Sequence, residues 1–299
     1  MTETIRHFPE TPLWTALVTP MLPDGSIDYA SLDTLVAQQN EAGNGILLLG
    51  STGEALAIPL KQRKALINHV LANRPDVPIM SGIGGFQLQE ELAWLDFCQQ
   101  AGVNAFLLGS PIYAKPGPEG QYQWFKAMLD RSTKPCLIYN IPGRSALSLS
   151  LDSLKRLADH PHFWGIKEAS GDLDRVRETR SALPHINLYS GDDALMPAMS
   201  KEGAVGLVSV ASNVWPKATH AFVLKAKEDP NAPDLADMEG PMNTLFMVSN
   251  PIPAKCLLAE RGDIAHNTLL APLTADEIKD ISPLLKADQE AKQWFQNQS

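Results

Sequence analysis

The sequence predicts an α/β protein, a (β/α)8 TIM barrel with a C-terminal helical extension. Three observations lead there. Eight short apolar runs recur at a spacing of roughly 25–30 residues, the length of one strand–helix unit. The runs are continuously apolar rather than alternating, as in parallel strands covered on both faces. Amphipathic segments of helical period lie between them.

The expected strands are Leu13–Thr19, Gly45–Gly50, Pro78–Gly82, Ala105–Ser110, Pro135–Asn140, Trp164–Glu168, Asn187–Gly191 and Gly203–Val210. The first expected helix, Asp28–Ala42, places Leu32, Leu35, Val36 and Gln39 on one stripe, with Asp28 as the capping acceptor. Leu60–Ala72 brings Leu66, Ile67, Val70 and Leu71 together after Pro59. Leu88–Gln100 aligns Leu92, Leu95 and Cys98 and stops at Ala101-Gly102. The entries into the second, fourth and eighth runs share an Ala-Gly-x-x-apolar character, a weak internal repeat. The barrel is expected to occupy residues 1–225. An open dinucleotide-binding sheet is the rival, but no GxGxxG follows a strand, and Gly82-Ile83-Gly84-Gly85 is the nearest approach. Residues 226–299 open on a polar, proline-bearing loop. Helical stretches follow near 234–248, 253–261 and 274–296, read as an extension packed on the barrel.

Composition narrows the partners. The 299 residues are 44% hydrophobic and 20% charged, which is ordinary globular composition. Twenty-five basic against 34 acidic residues give a net charge of -9. Such a field repels polyanions, so nucleic acid is not expected as a partner. Apolar runs such as Ile46–Leu49 fall far short of the ~20 residues that span a bilayer, so no membrane is expected either. The first residues carry no leader pattern. Three widely spaced cysteines (Cys98, Cys136 and Cys256) make no disulfide framework or zinc motif and suit a reducing cytoplasm.

In a barrel of this kind reactive groups belong at the carboxyl ends of strands. Lys167 sits in the largely apolar run Trp164-Gly165-Ile166-Lys167-Glu168-Ala169. Burial there would disfavour the ammonium, and a neutral amine is what carbonyl attack requires. The alternative is that Lys167 faces outward or caps the strand as an ion pair with Glu168. Tyr139 ends another apolar run, where a phenol can shuttle protons; the alternative is a rim tyrosine with its hydroxyl in water. Gly50-Ser51-Thr52-Gly53-Glu54 can aim N–H groups and two hydroxyls at an anion, or it is an ordinary turn with Thr52 capping the next helix. Arg144 follows a strand end, where a planar fork can clamp a carboxylate or lie free in solvent. Asp192-Asp193 lacks further ligands at metal spacing, so no metal is expected. His160, His162, His185 and His220 are scattered at helix ends and loops, and Trp124 and Trp215 read as core or interface residues.

Taken in order, Ala16-Leu17-Val18-Thr19-Pro20, Gly50-Ser51-Thr52-Gly53-Glu54, Tyr139-Asn140-Ile141-Pro142, Gly165-Ile166-Lys167-Glu168-Ala169, Ser190-Gly191-Asp192-Asp193 and Asn250-Pro251-Ile252-Pro253-Ala254-Lys255 span nearly the whole chain. The chain thereby resembles the dihydrodipicolinate synthase / N-acetylneuraminate lyase superfamily of pyruvate-dependent class I aldolases. The resemblance implies a lyase that needs no cofactor, usually a homotetramer built as a dimer of dimers. It implies Lys167 as the Schiff-base lysine, Tyr139 as acid/base, and Ser51 and Tyr113 as a proton relay, Tyr113 usually coming from the neighbouring subunit. Thr52, with Ser51, would hold the pyruvate carboxylate, and Gly191 and Val208 would line the pocket. Arg144 matches the arginine of the synthase branch, which meets the carboxylate of L-aspartate 4-semialdehyde. The implied reaction condenses pyruvate with that aldehyde to 4-hydroxy-tetrahydrodipicolinate, towards diaminopimelate and lysine. The alternatives are a lyase acting on N-acetylneuraminate or a 2-keto-3-deoxy sugar acid, and a barrel that binds a keto acid without turnover.

Two departures from the family pattern matter. Ser51 stands where the synthases usually have threonine, which keeps the hydroxyl. Ile112 replaces a tyrosine of the lysine-inhibited synthases, and their polar inhibitor site corresponds here to Ala55, Leu56, Leu60, Arg63 and Phe86, with only Glu90 retained. An apolar site holds an ammonium and a carboxylate poorly, so weak or absent inhibition by lysine is expected.

Overall fold

A computed structural model describes residues 11–298 of the chain; the N-terminal stretch read above for a leader pattern lies outside the described residues. Eight parallel strands close into a barrel in chain order, with β1 paired to both β2 and β8. They are β1 (Leu13–Ala16), β2 (Gly45–Leu48), β3 (Ile79–Ile83), β4 (Ala105–Leu108), β5 (Cys136–Asn140), β6 (Phe163–Glu168), β7 (Asn187–Ser190) and β8 (Gly206–Ser209). Every expected strand is present, and helices connect them.

The helices form for the reasons their sequences suggest. Tyr29–Ala42 starts where the Asp28 side chain accepts from the Ser31 N–H and stops at Gly43 in the left-handed region. Its stripe of Leu32, Leu35, Val36 and Gln39 is buried. Leu60–Ala72 follows Pro59, and Leu88–Ala101 ends at left-handed Gly102. The strands' outer faces and the helices share one apolar layer. A second, smaller cluster fills the barrel itself: Trp14, Ala16, Leu47, Met80, Ala105, Leu107, Leu137, Trp164, Tyr189 and Val208. Trp14 and Trp164 meet edge to face, with ring centres 6.3 Å apart. The interior is therefore a packed floor that leaves room for chemistry only at the strands' carboxyl ends.

One irregularity decides what faces that room. Cys136 of β5 pairs with Phe163 of β6, yet Leu137 pairs with Gly165, so β6 carries one extra residue. Strict alternation from inward Trp164 would turn Lys167 outward. The bulge resets the parity, and Lys167 comes to lie beside Tyr139 on one side and Tyr189 on the other, both belonging to the interior cluster.

The helix after β8 is Pro216–Glu228. The C-terminal region differs in detail from the sequence expectation. The stretch 234–248 divides into a 3-10 turn, Pro233–Met238, and a short helix, Glu239–Thr244. The stretch 274–296 is helical only from Ser282, after a 3-10 turn at Ala275–Glu277. Pro283 explains the late start: it has no N–H to continue an earlier turn and suits the first turn of a new helix. Ile252–Glu260 lies between them. No helix among the described residues is long and apolar enough to cross a membrane.

Candidate active site

The carboxyl ends of β2 to β5 open on a cavity of about 330 Å3, whose lining includes Ser51, Tyr139, Ile141 and Arg144. Lys167 sits beside it on β6 and is only 5% exposed. Its Nζ lies 4.4 Å from the centre of the Tyr139 ring. Burial lowers the pKa of this amine to about 7; the Asp193 carboxylate raises it and the Arg144 charge lowers it further. The outward alternative is excluded by the register, which sets Lys167 between Tyr139 and Tyr189, and Glu168 is engaged elsewhere. Its carboxylate accepts from Asn140 Nδ2 at 2.9 and 2.8 Å and from the Ser170 N–H at 2.8 Å.

Gly191 gives the lysine its path. A Cβ at position 191 would fall 2.8 Å from Lys167 Cε and 2.7 Å from Ala169 Cβ. Any larger residue would displace the side chain that carries the amine.

Tyr139 ends β5. Burial pushes its phenol up to about 12; the Arg144 charge and a side-chain hydrogen bond with Ser51 act the other way. The phenol is therefore protonated at neutral pH, and Tyr139 lines the cavity together with Ser51 of the turn after β2. That turn does not start a helix at Thr52: residues 51–57 form successive turns, and the next helix begins at Leu60. Thr52 is buried, and its Oγ1 accepts from Asn250 Nδ2 at 2.9 Å.

Arg144 lies in the short helix Pro142–Ser145 at the rim, and its Nη2 donates to the Asn250 carbonyl at 2.9 Å. Val208 is fully buried in the interior cluster, in the floor rather than in the cavity lining. Tyr113 stands apart from the other candidates. It is 93% exposed, held at φ +68°, and is not among the cavity-lining residues of its own chain. Trp124 and Trp215 are core residues, as expected.

Three features escaped a residue-by-residue reading. Asp193 is fully buried, and Ser209 Oγ and the N–H groups of Val210 and Ala211 donate to it. Burial lifts its carboxyl to about 6. Lys255 and Glu54 form a buried ion pair at 2.7 Å. Asn250 touches both Thr52 and Arg144. A usable signal existed for Lys255, which is a lone charge in the apolar run 251–258, the same signal that marked Lys167.

The model of the dihydrodipicolinate synthetase family matches residues 10–289. The chain belongs to that family. A curated relative from Francisella philomiragia, a 4-hydroxy-tetrahydrodipicolinate synthase, is 45% identical over 95% of this chain and 96% of its own. The dihydrodipicolinate synthase of Acinetobacter baumannii, solved with pyruvate, is 36% identical with a TM-score of 0.89, covering 94% of this chain and 99% of that one. A structure described as the first monomeric dihydrodipicolinate synthase variant is 29% identical with a TM-score of 0.88, covering 94% and 97%. The resemblance read from the motifs is borne out, as is the barrel, and this dihydrodipicolinate synthetase family member is an enzyme of the lyase class.

Proposed function

We propose that this chain condenses pyruvate with L-aspartate 4-semialdehyde through a Schiff base on Lys167. The observation that carries the reading is the inward, desolvated amine with its pKa near 7. Neutral Lys167 Nζ attacks the ketone carbon of pyruvate, and the carbinolamine loses water to give an iminium. Loss of a methyl proton, with the iminium nitrogen as electron sink, gives an enamine. The enamine carbon attacks the aldehyde. The amino group of the former semialdehyde then adds to the iminium carbon, closes the ring and releases Lys167 as a free amine.

Tyr139 is the acid/base at the carbinolamine. Its high pKa keeps it protonated for the dehydration step, and its link to Ser51 gives the proton a way out. Ser51 and Thr52 hold the pyruvate carboxylate. Gly191 gives the lysine room, and Val208 closes the floor beneath the site. Arg144 receives the carboxylate of the semialdehyde. Tyr113 extends the relay into the site of a second copy of the chain. Its exposure and left-handed backbone support that role, since a bulky residue seldom adopts φ +68° without a constraint.

The functional assembly is a homotetramer, a dimer of dimers. Leu56, Leu60, Phe86, Ile112 and Tyr113 are exposed apolar groups, and the Ile112 N–H donates to the Gly85 carbonyl, which brings the Phe86 and Ile112 segments together. A second copy would cover them. The same residues offer lysine no ion partner, which supports weak feedback inhibition; half-inhibition by low-millimolar lysine would contradict it. The three cysteines are free and buried, which supports a cytoplasmic setting.

The deciding test couples the purified protein, pyruvate and the semialdehyde to a dihydrodipicolinate reductase. Reduced nicotinamide should be consumed. Borohydride should add one pyruvate-derived mass to the Lys167 peptide, and Lys167→Ala should abolish both. Cleavage of N-acetylneuraminate or a deoxy-sugar acid without nicotinamide consumption would replace the acceptor; binding without an adduct would end the Schiff-base reading.

A further inference from the structure

Thr52 sits on a turn whose backbone is pinned from several sides. Thr19 Oγ1 donates to the Gly53 carbonyl at 2.8 Å. A Cβ on Gly53 would come to 3.0 Å from the Leu17 carbonyl, so the turn lies hard against the end of β1. Glu54, at φ +55°, is fastened twice: Lys255 Nζ donates to Oε1 at 2.7 Å, and the Leu270 N–H donates to Oε2 at 2.7 Å. Lys255 also donates to the Thr19 carbonyl at 2.9 Å. With the backbone so held, the freedom left to Thr52 is that of its side chain, the χ1 rotamer and the direction of the hydroxyl proton.

A hydroxyl has one proton to give and two lone pairs to receive. Asn250 Nδ2 occupies a lone pair of Thr52 Oγ1. The threonine proton cannot point at that donor and is left to point elsewhere. Asn250 is 7% exposed, and its Oδ1 is buried without a hydrogen-bond partner among the described residues. Turned the other way, the amide would satisfy its oxygen with the threonine proton and remove that proton from the site. The carbonyl of the same residue holds Arg144 Nη2.

We propose that Asn250 is a positioning residue: its side-chain amide commits the Thr52 hydroxyl to donating towards a bound keto-acid carboxylate, while its main-chain carbonyl separately holds the rim arginine. One residue of the C-terminal extension thus serves both anion-binding donors, the first through its side chain and the second through its backbone. The inference rests on the proposed pyruvate site.

The test measures the pyruvate concentration for half-maximal borohydride trapping on Lys167, which needs no aldehyde. Asn250→Ala is expected to raise it about tenfold, the worth of one hydrogen bond to a charged group. Thr52→Val should raise it similarly, and the double variant no further than Thr52→Val alone. KM for the semialdehyde should stay within twofold in Asn250→Ala, because the carbonyl that holds Arg144 remains; a merely structural residue would raise both. Asn250→Asp has the same shape and replaces the donor by an acceptor, so it should raise the concentration at least as much, and it serves if the alanine variant does not fold. An unchanged pyruvate requirement in either variant, or additive effects with Thr52→Val, overturns the inference alone. A wild-type chain that traps no pyruvate overturns the proposed site and this inference together.

Discussion

The Lys167 amine, the proposed nucleophile, has its pKa lowered by burial to about 7, so it becomes increasingly protonated, and unable to attack a ketone, as the pH falls through that region. The rate of pyruvate trapping should therefore rise with pH through about 7 and level off above. Two neighbours set where that limb falls. Arg144→Ala removes a positive charge that lowers the lysine pKa, so the limb should move to higher pH. Asp193→Asn removes a negative charge that raises it, so the limb should move to lower pH. Trapping rates measured from pH 5 to 9 check both, and a limb that stays put in both variants would show that neither charge reaches the amine. Gly191→Ala places a methyl 2.8 Å from Lys167 Cε, and misplacing a nucleophile by about 1 Å costs on the order of 10²-fold in rate. Its kcat should fall by that order, and the close contact with Ala169 Cβ should lower the melting temperature as well, through the about 1–3 kcal/mol that an overpacked site costs. At this scale the sequence was legible where a charge interrupts an apolar run, as at Lys167. It named Asp193 and Asn250 within motifs but not what they touch, since their partners at 209–211 and at Thr52 lie elsewhere in the chain.

Among the elements, the turn after β2 and the helix Ile252–Glu260 behave as one unit because Lys255 joins them. Neither partner of that ion pair has more than 2% of its side chain exposed. Lys255→Met leaves the Glu54 carboxylate buried without its counter-ion, and breaking such a pair costs about 3–5 kcal/mol. Denaturant unfolding should show a loss of that size, and adding Glu54→Gln should recover part of it. If Lys255→Met unfolds like the wild type, the pair contributes nothing. The strands and the first helices could be read from the chain because period and caps are local signals, and Asp28, Gly43 and Gly102 act where they stand. The region 274–296 could not be read as closely, because its amphipathic pattern runs through a proline that delays the helix to Ser282.

For the whole molecule, the apolar group around Leu56, Leu60, Phe86, Ile112 and Tyr113 is the surface that a second copy is proposed to cover. Leu56→Glu places a charge in that surface. Sedimentation velocity should show the assembly reduced to a smaller species, with kcat falling as the neighbour's Tyr113 is withdrawn. An assembly unchanged in mass would place the interface elsewhere.

What the sequence determined by itself was the alternation of eight strands with helices, the burial of their apolar stripes, and the short list of polar residues at strand ends. These follow from periodicity and from the energetic cost of putting a charge among apolar neighbours, and both are written in neighbouring residues. Tertiary structure decided the rest. One extra residue in β6 turns Lys167 into the barrel rather than out of it, and that residue is visible only in the register against β5. Asn250 and Lys255 reach the turn after β2 across some 200 positions of chain, because folding brings the C-terminal extension against the mouth of the barrel. Contacts between segments so far apart leave no periodic trace along the chain; they come into being only when the ring of strands closes.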